Sequence, residues 1–196
     1  MYEKVISYIK QRIEITDEEL EQGLKCTMFK KYEKGDYVIR IGESCRYIGF
    51  INKGLMVTTT VDDHGKETAF DFKSENCFFT YTEGLINNAP SHKNFIALED
   101  CETLILPKEQ LEKLLTLNPK FETLFTKVLA EDLARVLKNQ QHVKEQSAEE
   151  RYLSLEQTYP GALHRIPVKY IAGYLGIEPE SLSRLRRRLT KKNNLG

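Results

Sequence analysis

The sequence predicts an α+β protein in three parts: a small antiparallel β-barrel or sandwich behind N-terminal helices, one long helix, and a C-terminal helix-turn-helix. Three observations carry that reading. Short β-rich runs punctuated by glycine occupy residues 27–106. Apolar residues then recur at steps of three and four over about thirty residues. Finally, the stretch YIAGYLGIEPESLSRLRRRLTKK gathers Arg184, Arg186, Arg187, Arg188, Lys191 and Lys192 into nine residues with no acid among them.

Composition sets the frame. The chain has 196 residues, 40% of them hydrophobic and 30% charged, the balance of a folded protein and not a disordered one. Lys plus Arg and Asp plus Glu both number 29, yet the charge is unevenly spread. Residues 165–196 hold eight basic residues against two acids, Glu178 and Glu180; that net of +6 leaves −6 on the first 164 residues. Such asymmetry suggests a polyanion-binding end on a near-neutral body. The opening MYEKVISYIK has charges where a signal peptide needs an apolar core, and no apolar run reaches the ~20 residues of a membrane span. A cytoplasmic protein is expected. Cys26, Cys45, Cys77 and Cys101 stand apart with no CxxC pair, so buried free thiols are expected, with no metal site and no disulfide.

The elements follow in order. Residues 1 to about 25 read as helical, and TDEELEQGLK opens with Thr16 as N-cap and Glu19 three places on, a capping box. YEKGDYVIRIGES sets Gly35 and Gly42 around a strand-like YVIRI. GLMVTTTVDDHGKETAFDF reads as a hairpin turning at DDHG, and NFIALEDCETLIL as two strands turning at Glu99 and Asp100. Between them FFTYTEGLINNAPSHKN predicts a helix-containing insertion over a pocket. Pro107 opens a short helix, KEQLEKLLTLNP. From Pro119 to about Glu149 a long helix carries Phe125, Leu129, Leu133, Val136, Gln140 and Val143 on one stripe. A helix of that length exceeds what one small barrel covers, which makes the stripe a candidate interface with a second copy. A domain boundary is expected near 146–150.

The motif that carries chemistry is VKYIAGYLGIEPESLSRLRRRL, residues 168–189. Ile171, Leu175, Ile177, Leu182, Leu185 and Leu189 supply the contacts between two short helices. Ala172 is small where they cross, Gly176 suits a left-handed turn, and Pro179 suits a first helical turn. At ~100° per residue, Leu182, Leu185 and Leu189 fall on one side of the second helix. Glu180, Arg184, Arg187 and Lys191 fall nearly opposite, flanked by Ser181, Ser183 and Arg188. An α-helix fits the DNA major groove, an arginine can fork onto guanine and a glutamate can accept from cytosine. Ser, Lys and Arg suit phosphate oxygens. The basic cluster then neutralises phosphates and releases counterions.

IAGYLGIEPESLSRLRRRL resembles the DNA-binding motif of the Crp/Fnr (cyclic AMP receptor protein) family of bacterial transcription regulators. KYEKGDYVIRIGE resembles that family's early β-roll turns, and INKGLMV its next strand entry. The resemblance implies a cyclic-nucleotide-binding-like β-roll (a double-stranded jelly roll) in residues 1–117, a dimerisation helix in 118–149, and a helix-turn-helix domain of winged-helix type in 150–196. It implies base reading by Glu180 and Arg184 and phosphate contacts from Ser181 and Ser183. Pro179 replaces an arginine of the family pattern, so the preferred DNA sequence should differ. Seven residues after Leu189 are too few for a C-terminal wing; a wing comes from GALHRIP or is absent. The partners implied are double-stranded DNA, a second copy, RNA polymerase and an unidentified small-molecule effector.

The roll departs from the family's cyclic AMP binders. The relevant stretch has no Gly-Glu pair, Ser91 stands near the arginine position, and Lys93 is the nearby cation. A buried phosphodiester needs a charged partner, so cyclic AMP is not the expected effector and no cofactor is expected. Phe78, Phe79 and Tyr81, with Ser91 and Lys93, either line a pocket for another ligand or fill it. His64, in a turn, reads as solvated and not as a haem ligand. No Walker loop, HExxH or GxSxG is present, which argues against an enzyme. Asp71 and Glu83 cannot be paired from sequence. The competing reading is a ligand-binding or protein-interaction module of the same fold that does not read DNA.

Overall fold

The computed structural model describes residues 1–193, the side chains of 139–145 and 192–193 excepted. Two N-terminal helices, α1 (Glu3–Lys10) and α2 (Asp17–Lys25), precede the sheets. Thr16 caps α2: its hydroxyl accepts from the Glu19 N–H at 3.3 Å while the Glu19 carboxylate takes the Thr16 N–H at 2.8 Å. The same carboxylate receives Lys120 and Asn118, at 2.8 and 2.9 Å, from the region where the long helix begins. Led by the Lys120 hydrogen bond, these partners pull its pKa down to about 2.

Eight strands follow: β1 (Met28–Tyr32), β2 (Tyr37–Ile39), β3 (Tyr47–Lys53), β4 (Met56–Val61), β5 (Glu67–Lys73), β6 (Phe78–Phe79), β7 (Asn94–Ala97) and β8 (Cys101–Pro107). They form two four-stranded antiparallel sheets, ordered β1-β8-β3-β6 and β2-β7-β4-β5. The β4–β5 turn closes on Asp62, whose carboxylate receives the N–H groups of His64 and Lys66. Helix α3 (Thr82–Asn87) lies in the expected insertion.

Strand alternation divides the apolar residues into layers. Along β3, Tyr47 and Ile51 face the space between the sheets, where Tyr32 and Phe79 of their own sheet meet Val38, Met56 and Phe95 of the other. Ile48 and Phe50 face outward, onto α1, α2, α4 (Lys108–Leu117) and the start of α5 (Pro119–Glu145). The outer face of the second sheet carries Leu55, Val57, Ala69, Phe72, Ile96 and Leu98. These are covered by α6 (Ala148–Thr158), the turns at 159–166, α7 (Val168–Leu175) and α8 (Pro179–Asn193). Arg165 fastens this cover, donating to Glu75 at 2.9 Å and to Glu99 at 2.5 Å.

Helix α5 is about 40 Å long at 1.5 Å per residue. Phe121, Leu124 and Val128 bury its first half against its own subunit. Phe125, expected on the outward stripe, packs with that cluster, because the helix must cover the sheet before it leaves it. Further on, Leu133 and Leu137 are 59% and 55% exposed. Leu129 and Val136 are half-buried; the side chains of Gln140 and Val143 lie outside the described ones. The chain breaks after Glu145, and Ser147 caps α6 in a second capping box with Glu150. Among the described residues no strand follows β8: GALHRIP, the candidate wing at residues 161–167, is turn and bend up to the start of α7.

Candidate nucleic-acid interface

Local chemistry builds the C-terminal helix pair. Ile171, Ala172 and Leu175 form the buried side of α7. The helix stops at Gly176, whose φ of +64° would strain any side chain. The Gly176 N–H bonds the Gly173 carbonyl at 3.1 Å and the Ile177 N–H bonds the Ala172 carbonyl at 3.0 Å, a Schellman closure. Arg151 of α6 satisfies the Leu175 carbonyl left over at that end. Pro179 then opens α8 where no N–H is required.

On α8, Leu182 and Leu185 are buried and Leu189 packs beside them. Glu180, Ser183, Arg184, Arg187, Arg188 and Lys191 are exposed, and Ser181 is half-buried. The structure thus sets six of the seven expected residues in solvent on one helix, with Ser181 partly covered beside them. Their side chains are not equally available. Arg184 donates to the Ser181 hydroxyl at 3.1 Å. The Ser183 hydroxyl donates to the Pro179 carbonyl at 3.2 Å, so it must leave its own helix to serve a phosphate. Arg188 is paired with Glu149 of α6. Arg186 turns inward, onto the Tyr152 hydroxyl at 3.2 Å. Arg187 and Lys191 extend the exposed basic ridge beyond Arg184. A ridge of donors on a helix held from behind by leucines can enter a groove and meet base edges and phosphates.

The roll residues separate. Phe79 and Tyr81 lie inside the roll, with Phe79 1% exposed. A β-carbon at Gly49 would stand 2.2 Å from the Phe79 ring, so glycine there makes room for it. Phe78, its strand neighbour, points the other way by the same alternation. It stacks edge-on with Phe50 and Tyr8 and lines an apolar cavity of about 80 Å³ under α1, α2, α4 and α5. Phe78 and Phe79 therefore do not share a pocket. Ser91 is 1% exposed, and its hydroxyl is engaged by the Lys93 backbone at 2.7 and 3.1 Å. The Lys93 ammonium sits 3.5 Å over the Phe70 ring, and burial lowers its pKa. Glu83 finds a partner in the Tyr81 hydroxyl, 2.8 Å away. His64 is exposed, and all four cysteines are free, Cys45 and Cys101 buried.

Residues 29–118 match the model of the cyclic nucleotide-binding domain. The matched span takes in all eight strands of the roll, Met28 excepted. Over most of the chain the architecture matches solved structures. FixK2 from Bradyrhizobium japonicum is 18% identical, with a TM-score of 0.73 over 85% of this chain and 86% of its own. CLP, a c-di-GMP responsive global regulator from Xanthomonas campestris, is 14% identical, with a TM-score of 0.71 over 91% and 93%. The catabolite activator protein of Thermus thermophilus is 20% identical, with a TM-score of 0.56 over 91% and 85%. No protein of curated function matches the sequence at a significant level. The chain shares the fold of these structures and of a transcriptional regulator of the Crp/Fnr family from Eubacterium rectale. Among the described residues, no helix is long and apolar enough to cross a membrane, and no cluster of metal-ligating side chains occurs.

Proposed function

We propose that this chain is a homodimeric transcription regulator that reads a near-palindromic DNA site with α8, the second helix of a helix-turn-helix. The observation that carries the reading is the division of α8 into two faces. Leu182 and Leu185 bury one face, while Glu180, Arg184, Arg187 and Lys191 stand in solvent on the other. In this role Glu180 and Arg184 read base edges, and Ser181, Ser183, Arg187, Arg188 and Lys191 hold the phosphate backbone. The exposed Leu133 and Leu137, with Leu129 and Val136, supply an apolar seam on α5 for a second copy. Two α8 helices related by a two-fold axis then meet successive major grooves ~34 Å apart. In this reading the effector is not cyclic AMP: Phe79 and Tyr81 belong to the packed core of the roll, the Ser91 hydroxyl is engaged by the Lys93 backbone, and the Lys93 ammonium is held over the Phe70 ring.

Selection from random duplexes tests the reading: a two-fold symmetric consensus is expected. Arg184→Ala should relax base preference at one position per half-site. Lys191→Ala should weaken all sequences alike and lower the salt slope by about two for the dimer, one for each half-site. Equal, sequence-independent losses for both variants would remove the assigned roles. No binding even at low salt would leave the competing reading, an interaction module.

A further inference from the structure

The outer face of the second sheet holds the α6–α8 unit mainly through apolar contact, which is non-directional. One group of side chains at its margin is directional. Asp71 and Lys73, both on β5, are 3% and 6% exposed, although each is charged. Arg135 of α5 donates to Asp71 with one guanidinium nitrogen and to Asp132 with the other, and Lys73 donates to Asp132 at 2.6 Å. Tyr159, just past α6 and 5% exposed, completes the group. Its hydroxyl lies 2.6 Å from the Phe72 carbonyl and 3.1 Å from Asp71, and receives Arg135 at 3.3 Å. Burial, reinforced by the Asp71 carboxylate, keeps the phenol protonated. Burial opposes the Arg135 charge, and Asp71 overrides it.

Five polar side chains from the roll, the long helix and the C-terminal unit thus meet at one point. Apolar residues of similar volume would hold the three parts together at no desolvation cost. What buried, paired charges add is geometry, since each bond tolerates little change in angle. Resting on the DNA-binding reading above, we infer that this joint positions the α6–α8 unit on α5, and so sets the separation at which the two α8 helices of a dimer meet DNA. Asp71, Arg135 and Tyr159 are positioning residues; none of them touches DNA.

The test uses the full chain with Tyr159→Phe, Asp71→Asn, and Asp71→Asn combined with Arg135→Gln. Tyr159→Phe keeps the ring, which packs edge-on against Phe72, and removes only the hydroxyl. Hydrogen exchange is read at α6, α7 and β5, with α1 and α2 as the internal reference. Asp71→Asn removes the charge that ties Arg135 to β5 and Tyr159 and leaves Asp132, on its own helix, as its remaining carboxylate, so exchange at α6 and α7 should rise at least about tenfold. The double variant should be closer to wild type than the sum of its parts predicts. Should Asp71→Asn fail to fold, Tyr159→Phe decides, with a smaller rise in the same segments. The second readout is the half-site spacing selected from random duplexes. One spacing is expected for wild type and a broadened set for the variants, with the base preference within each half-site kept. Unchanged exchange and unchanged spacing in folded variants would overturn the inference while the DNA-binding reading stands. If wild type binds no DNA, that reading falls, and unchanged exchange alone refutes the joint.

Discussion

At the scale of single residues, the tightest constraint inside the roll is the pair Gly49 and Phe79. Phe79 fills the space between the sheets, and a methyl group at Gly49 would overlap its ring. Gly49→Ala should therefore cost about 1–3 kcal/mol, the range for overpacking a closed core. Phe79→Ala should cost about 3–5 kcal/mol by opening a cavity. Combined, the two should destabilise by clearly less than their sum, because the truncated side chain no longer meets the new methyl. Urea denaturation of the four proteins measures this; simple additivity would mean that the ring does not point at Gly49. A second residue-scale prediction concerns Glu75. Burial would raise its pKa, but Arg165 wins and the net shift is downward from 4.5. A carboxylate with a depressed folded pKa stabilises above its unfolded value and loses that contribution as pH falls through the folded one. Thermal unfolding should show Glu75→Gln less stable than wild type at pH 7. The two should converge as the pH drops below 4.5, and a constant gap down to acid pH would exclude the Arg165 pair as the cause.

At the scale of elements, periodicity made most of the architecture readable. The capping box at Thr16, the hairpin at DDHG, the turn at Glu99 and Asp100, and the two short helices around Gly176 all depend on residues close in sequence, and all are where the pattern puts them. Residues 1–25 were less legible: they form two helices with a break at 11–16. A local signal was also available at Ser147 and Glu150, whose S-x-x-E spacing marks the start of α6. What pattern could not supply was the direction of a side chain when two surfaces compete for it. Phe125 and Leu133 lie on one helical stripe. The first turns to the N-terminal helices and the second to solvent, a choice set by where α5 leaves the sheet. Asp71 was unpairable for the same reason: its partners lie 64 and 88 residues away. The exposed half of α5 yields its own prediction. Leu133→Glu should place a carboxylate in the seam of a dimer, beside its symmetry mate, and shift the chain toward monomer in sedimentation experiments. Its melting as a monomer should be little changed, since Leu133 is 59% exposed. A dimer of unaltered strength would move the interface elsewhere.

At the scale of the whole molecule, one apolar cluster joins parts that the sequence separates. Leu55, Val57, Ala69, Phe72, Ile96 and Leu98 belong to the roll, and Leu155, Tyr159, Leu163, Ile166, Ile171 and Leu175 to the C-terminal unit, yet they form a single buried layer. Neither side is finished without the other. A C-terminal unit of three short helices has little else to pack on, and the roll without it would present a row of large apolar side chains on an outer sheet face. The domain boundary expected from sequence near 146–150 thus falls between parts that share one buried layer. Two consequences follow for stability. The full chain should unfold in one transition, with probes in the roll and in α6–α8 giving coincident curves. A chain ending at residue 146 should keep the roll's strands but expose the outer face of β4, β5 and β7, bind a hydrophobic dye such as ANS and associate beyond the dimer that α5 alone would give. Within that truncated chain, Val57→Thr and Phe72→Ser should reduce dye binding by making the bared face polar. In the full chain the same changes should be destabilising, because they bury unpaired hydroxyls. A truncated roll that stays no larger than a dimer and dye-negative would show that the two parts are independent bodies, and the transmission of any signal from roll to α8 would then have to run through α5 alone.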